Sequence, residues 1–210
     1  MSKQRLLPLL LCFLCFPHIS HANQTNPFEN NSNVNNIIQD NDGFIWLAGQ
    51  NGLVRYDGEN TVNFSSNNKN WSLPSNWIHR IAKIDEQFVL STESSGILAF
   101  DPKTGLIQTI NIASQTDSFY RGLYHQGLYY ALSTNPDNIY SYDPITFETK
   151  IIAEHIDYND LFNTLNNVYF TDNNELYQIK EGKPLRALTG KVSAVAAIKN
   201  TAIIAMNNSI

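Results

Sequence analysis

A unit of about 40 residues recurs along this chain, and that recurrence constrains the fold more than any other feature. The first unit turns at Asp42-Gly43, runs through Phe44 to Ala48, turns at Gly49 to Gly52, and runs again through Leu53 to Asp57. Gly58-Glu59-Asn60 turns once more, and Thr61 to Phe64 closes the unit, with Val34 to Gln39 as an entering strand. The pattern returns at Phe88 to Thr92, Ile97 to Asp101 and Leu106 to Ile110. It returns again at Leu128 to Leu132, Ile139 to Asp143 and Phe147 to Ile152. A weaker fourth unit holds Val168 to Thr171, Leu176 to Ile179 and Pro184 to Leu188, and a fifth starts at Val192 to Ile198 and Ala202 to Met206. The residue expected to open each third strand is Leu53, Ile97, Ile139, Leu176 and Ile210, at steps of 44, 42, 37 and 34 residues.

Four short strands per unit at this period are the pattern of a β-propeller. The expected fold is all-β: a β-propeller of four-stranded antiparallel blades, about four and a half of them, hence incomplete. Expected blades are 33–64, 77–110, 119–152, 156–188 and a partial 192–210. Phe44 to Ala48 and Phe88 to Leu90 are apolar on consecutive residues, which fits strands covered on both faces, as in stacked blades. A two-layer sandwich, the alternative, would alternate more cleanly and keep no fixed period. The early stop of the fifth unit leaves two outcomes: a small ring closed through Asn23 to Gln39, or an open arc with an unpaired edge along Val192 to Met206.

The N-terminus reads as an export signal. Lys3 and Arg5 precede an apolar stretch from Leu6 to Phe16, and Pro17 breaks it. Ser20-His21-Ala22 then predicts cleavage after Ala22, giving a signal peptide at 1–22 and an Asn-rich leader at 23–32. The stretch falls short of the ~20 residues of a spanning helix, although an uncleaved anchor is the alternative. Both cysteines, Cys12 and Cys15, lie inside it, so the mature chain would carry no disulfide or thiol chemistry. Loss of Lys3 and Arg5 would take the formal charge from −5 to −7. Such an acidic chain with no basic stripe excludes a nucleic-acid partner, because phosphate contacts need clustered Lys and Arg.

The first unit also carries a family resemblance. Asp42, Gly43, Trp46, Gly52, Leu53, Tyr56, Asp57 and Gly58, within Ile38 to Gly58, resemble the two-component regulator propeller repeat. The likeness fades through the second and third units and is faint in the fourth. It implies an extracytoplasmic ligand-sensing module, the N-terminal part of a membrane-bound receptor of the sensor-kinase or diguanylate-cyclase type. It also implies a periplasmic or secreted location, a parent anchored in the inner membrane, and a possible homodimer through that parent. The ligand is left as an unknown small molecule or saccharide. No output-domain motif is present in these residues, so the chain itself is expected to be no enzyme. A stand-alone periplasmic interaction scaffold and a propeller carbohydrate-active enzyme remain the alternatives.

Other constellations carry less chemistry. No catalytic, cofactor or metal residues are assigned. Asp40-Asn41-Asp42-Gly43 fits a hairpin turn better than a calcium loop, since Ile38 and Gly49 would stand where carboxylates are needed. His79, His125 and His155 are spread over different units without ligand spacing and read as surface or strand-edge residues. Asp57, Asp101 and Asp143 recur in phase after an aromatic residue, which points to turn N–H acceptors. Trp46 is expected in a blade core, and Trp71 in a connection that could face a binding funnel.

Overall fold

The computed structural model describes residues 33–70, 72–112, 118–188 and 190–207. The expected signal peptide and leader, Trp71 and Ile210 lie outside the described residues. Among the described residues there is no helix. Strands β1 (Val34–Gln39), β2 (Ile45–Gly49), β3 (Gly52–Tyr56) and β4 (Thr61–Phe64) form one antiparallel sheet in that order. β5 (Ile78–Ile84), β6 (Gln87–Thr92), β7 (Ile97–Phe100) and β8 (Ile107–Ile110) form the second. β9 (Phe119–His125), β10 (Leu128–Ser133), β11 (Ile139–Tyr142) and β12 (Thr149–Ala153) form the third. β13 (Tyr158–Asn163), β14 (Val168–Asp172), β15 (Glu175–Lys180) and β16 (Lys183–Leu188) form the fourth. β17 (Lys191–Ile198) and β18 (Thr201–Asn207) pair as a two-stranded fifth sheet.

The first strand of each sheet lies against the first strand of the next: β1 on β5, β5 on β9, β9 on β13 and β13 on β17. That places the entering strands at the axis and makes the chain an incomplete propeller of four full blades and half a fifth. β1 pairs with β2, and no comparable packing joins it to β17 or β18.

The cores lie between blades rather than within them. In β6, Phe88 and Leu90 pack toward blade 1, where they join Trp46, Phe64 and Ile81. Val89, between them, packs toward blade 3 with Tyr129 and Tyr140. In β10 the same split sends Tyr129 and Ala131 to blade 2, and Tyr130 and Leu132 to blade 4. Strand alternation thus serves two apolar faces at once, which explains the unbroken apolar runs. No equivalent buried cluster joins blade 4 to the fifth sheet among the described residues, where Val192 is buried and Ile198 and Ile203 are exposed.

Two local expectations shift. Phe147 does not begin a strand: β12 starts at Thr149, and Phe147 sits in the preceding turn at φ 61°, 67% exposed. Its N–H donates to Asp143 O at 2.8 Å, as the Gly105 N–H donates to Asp101 O at 2.8 Å. The Asp-Pro-x-Thr turn of blade 2 is repeated in blade 3 with phenylalanine in the glycine position. Leu53 and Leu176 come second in β3 and β15 rather than first, though both are buried, as are Ile97 and Ile139.

Candidate functional site

The signature residues of blade 1 build a pinned hairpin. Asp40, just ahead of Asp42-Gly43, holds it. Its Oδ1 accepts from the N–H groups of Asp42 (3.0 Å) and Phe44 (2.9 Å), and its Oδ2 accepts from Trp46 Nε1 at 2.7 Å. That bond satisfies the indole of a fully buried tryptophan, which makes edge contacts to Phe88 and Phe100 at 5.1 and 5.5 Å. Asp42 and Gly43 are exposed at the tip. Gly52 is buried at φ 99°, and a Cβ there would stand 2.1 Å from Phe64 O, so only glycine fits. Leu53 is in the blade core, and the Tyr56 hydroxyl donates to Gly58 O at 2.5 Å.

Asp57, Asp101 and Asp143 each cap a turn. Asp57 Oδ1 accepts from Glu59 and Asn60 N–H at 2.8 and 2.6 Å. Asp101 Oδ1 accepts from Lys103 and Thr104 at 2.8 and 3.2 Å, and Asp143 Oδ1 from Ile145 and Thr146 at the same distances. Hydrogen bonds to the charged form hold all three carboxyls below the usual aspartate range: chiefly backbone N–H groups at Asp57 and Asp143, and the Thr104 side chain first at Asp101.

A different set of residues faces the axis. Each entering strand carries a β-bulge near its start: between Val34 and Asn36, Ile78 and Arg80, Phe119 and Arg121, Tyr158 and Leu161, and Val192 and Ala194. A bulge leaves one residue unpaired and re-aims side chains. Here the bulged positions bring Asn35, His79, Tyr120 and Ser193, with the following Asn36, Arg80 and Arg121, to one end of the entering strands. The apolar repeat gave no sign of them. A signal was present in the sequence: Asn35-Asn36, His79-Arg80, Tyr120-Arg121 and Asn159-Asp160 stand at the second and third positions of the first four entering strands, in phase with the repeat.

The junctions around this rim differ. Between blades 1 and 2, Asn35 Nδ2 donates to Ile78 O at 2.9 Å, and Asn36 Oδ1 accepts from Ile81 N–H at 3.0 Å. These amides satisfy backbone groups on the free inner edge of β5. Arg80 Nη1 donates to Asn35 O at 3.1 Å. Between blades 2 and 3, the His79 ring stacks on Trp77 at 5.5 Å and meets Tyr120 edge-on at 6.2 Å. His79 Nε2 lies 2.6 Å from Glu93 Oε2, which also accepts from Ser118 Oγ at 3.4 Å. Between blades 3 and 4, Arg121 approaches Asp160 at 4.0 Å. Asp160 and Ser193 then line a cavity of about 140 Å³ beside the fifth sheet.

The opposite rim is occupied by its own ion pairs. Glu86 pairs with Lys103 at 2.7 Å and accepts from Asn41 Nδ2 at 2.9 Å, and Lys83 donates to Asn41 Oδ1. Arg55 lies 4.7 Å over the Phe44 ring. His125, expected at a surface or strand edge, is buried at 8% exposure, with Nδ1 3.2 Å from Asn163 Nδ2 and Nε2 unpartnered among the described residues. Its place at the end of β9, facing blade 4, accounts for the burial. No group of His, Cys, Asp and Glu suited to a metal occurs among the described residues.

The profile of the two component regulator propeller family matches residues 28–51, which run through β1 and β2. Blade 1 is thus similar to a two-component regulator propeller repeat over these residues. The match includes the first bulged strand as well as the Asp40–Trp46 pin. Solved structures similar to this propeller include the extracellular domain of the hybrid two-component system BT4673 from B. thetaiotaomicron. The identity is 17% and the TM-score 0.63 over 83% of this chain and 28% of that one. The extracellular domain of the hybrid two-component system BT3049 from the same organism gives 14% and 0.54 over 84% and 32%. PorZ, a surface component of the type-IX secretion system of Porphyromonas gingivalis, gives 16% and 0.55 over 82% and 23%. These likenesses establish the fold, and the chain spans less than a third of the length of each. No curated protein matches the chain.

Proposed function

We propose that this chain is part of the extracytoplasmic ligand-sensing propeller of a membrane-bound signalling receptor, and that it binds rather than catalyses. The observation that carries the reading is the two-component regulator propeller match over β1 and β2. The likeness to extracellular domains of hybrid two-component systems supports it. The bulged rim supports it as well: side chains re-aimed at one place in successive blades supply varied polar and aromatic chemistry on a rigid frame. Kinase or cyclase output would belong to other parts of such a receptor.

A scaffold role in the cell envelope is the second reading, favoured by the likeness to PorZ. Two measurements test them, the first the export that both readings require and the second the ligand binding that separates sensing from scaffolding. An alkaline phosphatase fusion to the full chain should be active only outside the cytoplasm. A thermal-shift screen of the full chain against neutral sugars, acidic sugars and amino acids should give at least one saturable ligand. An inactive fusion refutes export, and a screen without any saturable ligand refutes sensing by this chain.

A further inference from the structure

The same bulge recurs at successive junctions around the axis, and at the first its side chains are taken up by backbone groups. There, Asn35 and Asn36 bond the backbone of β5 and leave little to offer a ligand. At the next two junctions the equivalent pairs are His79-Arg80 and Tyr120-Arg121. Arg80 is partly buried, hydrogen-bonds a neutral carbonyl, and makes no ion pair among the described residues. Arg121 has one nearby carboxylate, Asp160, at the outer limit of an ion pair. Burial first, then the neighbouring Arg121 charge, disfavour the charged form of Arg80, with Tyr129 and then Asp160 opposing them. A desolvated guanidinium without a close counter-charge is unfavourable, and a second one nearby makes it more so. Lys103, Lys150 and Arg186 by contrast find closer carboxylates in Glu86, Glu148 and Glu175. Guanidinium forks match planar and tetrahedral oxyanions in a way that a lysine does not. Beside them, Trp77 is 41% exposed and stacked on His79, a flat apolar wall of ring size.

We propose that Arg80 and Arg121 form an oxyanion site on the axial rim of blades 2 and 3, which takes a carboxylate- or sulfate-bearing ligand whose ring lies against the Trp77–His79 stack. This rests on the ligand-sensing reading and narrows it to acidic ligands. Two guanidiniums on a chain of net charge −5 would also draw anions to this end of the axis, where Glu93 holds His79 and Asp160 lies at the limit of pairing with Arg121.

The test titrates the full chain with glucuronate, glucose 6-sulfate, inorganic sulfate and glucose at constant ionic strength, read by tryptophan fluorescence and calorimetry. Saturable binding of the acidic sugars, and not of glucose, is expected. Comparing the two acidic sugars separates carboxylate from sulfate recognition, and inorganic sulfate alone should bind more weakly than either. Arg80→Met and Arg121→Met should each weaken binding at least tenfold. Arg121→Lys should fall between Arg121→Met and the parent, and the remote exposed Lys150→Met should bind like the parent. If Arg80→Met melts early, the two Arg121 variants carry the test. Acidic sugars binding no better than glucose, or binding equally to the Arg121 variants, overturns the oxyanion site. A neutral ligand from the wider screen that ignores both arginines removes this site but leaves sensing in place, whereas no ligand of any kind removes both.

Discussion

Gly122, the fourth residue of β9, stands where the axial surface meets the core between blades 2 and 3. A Cβ there would lie 1.9 Å from the Tyr129 hydroxyl oxygen, 2.6 Å from Tyr129 Cζ and 2.7 Å from Ser91 Oγ. Tyr129 and Ser91 are fully buried, and their hydroxyls share a 2.7 Å hydrogen bond across the two blades. The bare Cα of Gly122 is what lets that bond form. Gly122→Ala must push the tyrosine ring aside. Overpacking costs about 1–3 kcal/mol. Leaving buried hydroxyls unpaired costs about 1–3 kcal/mol more. The stiffer unfolded chain returns about 0.4–1 kcal/mol. The net loss is about 1–5.5 kcal/mol, a fall in Tm of roughly 2–22 °C for a chain of this size. Tyr129 supplies a second readout, because burial pushes its phenol up to about 12. A phenol raised above its unfolded value near 10 stabilises the fold fully below that pH and loses the contribution as pH rises toward 12. Melting followed by near-ultraviolet circular dichroism, with absorbance titration of the tyrosines, should show Gly122→Ala melting early and releasing a phenol at lower pH. Gly122→Ala with Tyr129→Phe removes the closest overlap and should melt above Gly122→Ala alone. A Gly122→Ala protein that melts within 1 °C of the parent and keeps its late-titrating tyrosine would refute the reasoning.

Phe147→Gly should stabilise the protein. A left-handed backbone costs a side-chain-bearing residue about 1–2 kcal/mol, glycine's extra unfolded-state freedom takes back about 0.5–1 kcal/mol, and little apolar contact is lost from so exposed a ring; a lower urea midpoint would contradict this. Asp57, Asp101 and Asp143 have folded-state pKa values below their unfolded ones, so their turns stabilise the fold above about pH 4 and lose that contribution as pH falls through the folded values. Replacing all three by Asn should flatten the acid limb of a plot of urea midpoint against pH, and an unchanged acid limb would contradict the assignment.

What could be read from the sequence followed from periodic burial. Leu53, Ile97 and Ile139 keep phase because each fills a core between blades, and Leu176 is buried in the same phase, so the repeat and its four strands were visible as spaced apolar residues. Phe147 was misread because an aromatic residue beside a β-prone run looks like strand, whereas the Asp-Pro-x-Thr turn sets its backbone. Its alignment with Gly105 was the available correction. The axial rim was hidden for another reason. A bulge inserts one unpaired residue without disturbing the apolar positions that follow, so hydrophobic periodicity passes over it. Arg80 and Arg121 are neighbours only because two entering strands meet at the axis 41 residues apart in sequence. Asp40 was passed over in favour of Asp42 because no one-dimensional pattern shows which carboxylate reaches the indole of Trp46.

The split allegiance of the middle strands bears on how this chain can change length. A single deletion inside β10 would exchange the residues facing blade 2 with those facing blade 4, placing Tyr130 and Leu132 where Tyr129 and Ala131 belong, and so damage two cores together. The same deletion in a turn would damage neither. From Leu53 to Ile97, Ile139 and Leu176 the repeat shortens from 44 to 37 residues, while β2, β6, β10 and β14 keep five or six residues each. Length drift in such an architecture is thus confined to the rims, so these blades can alter their rim loops by insertion and loss while the frame beneath stays fixed.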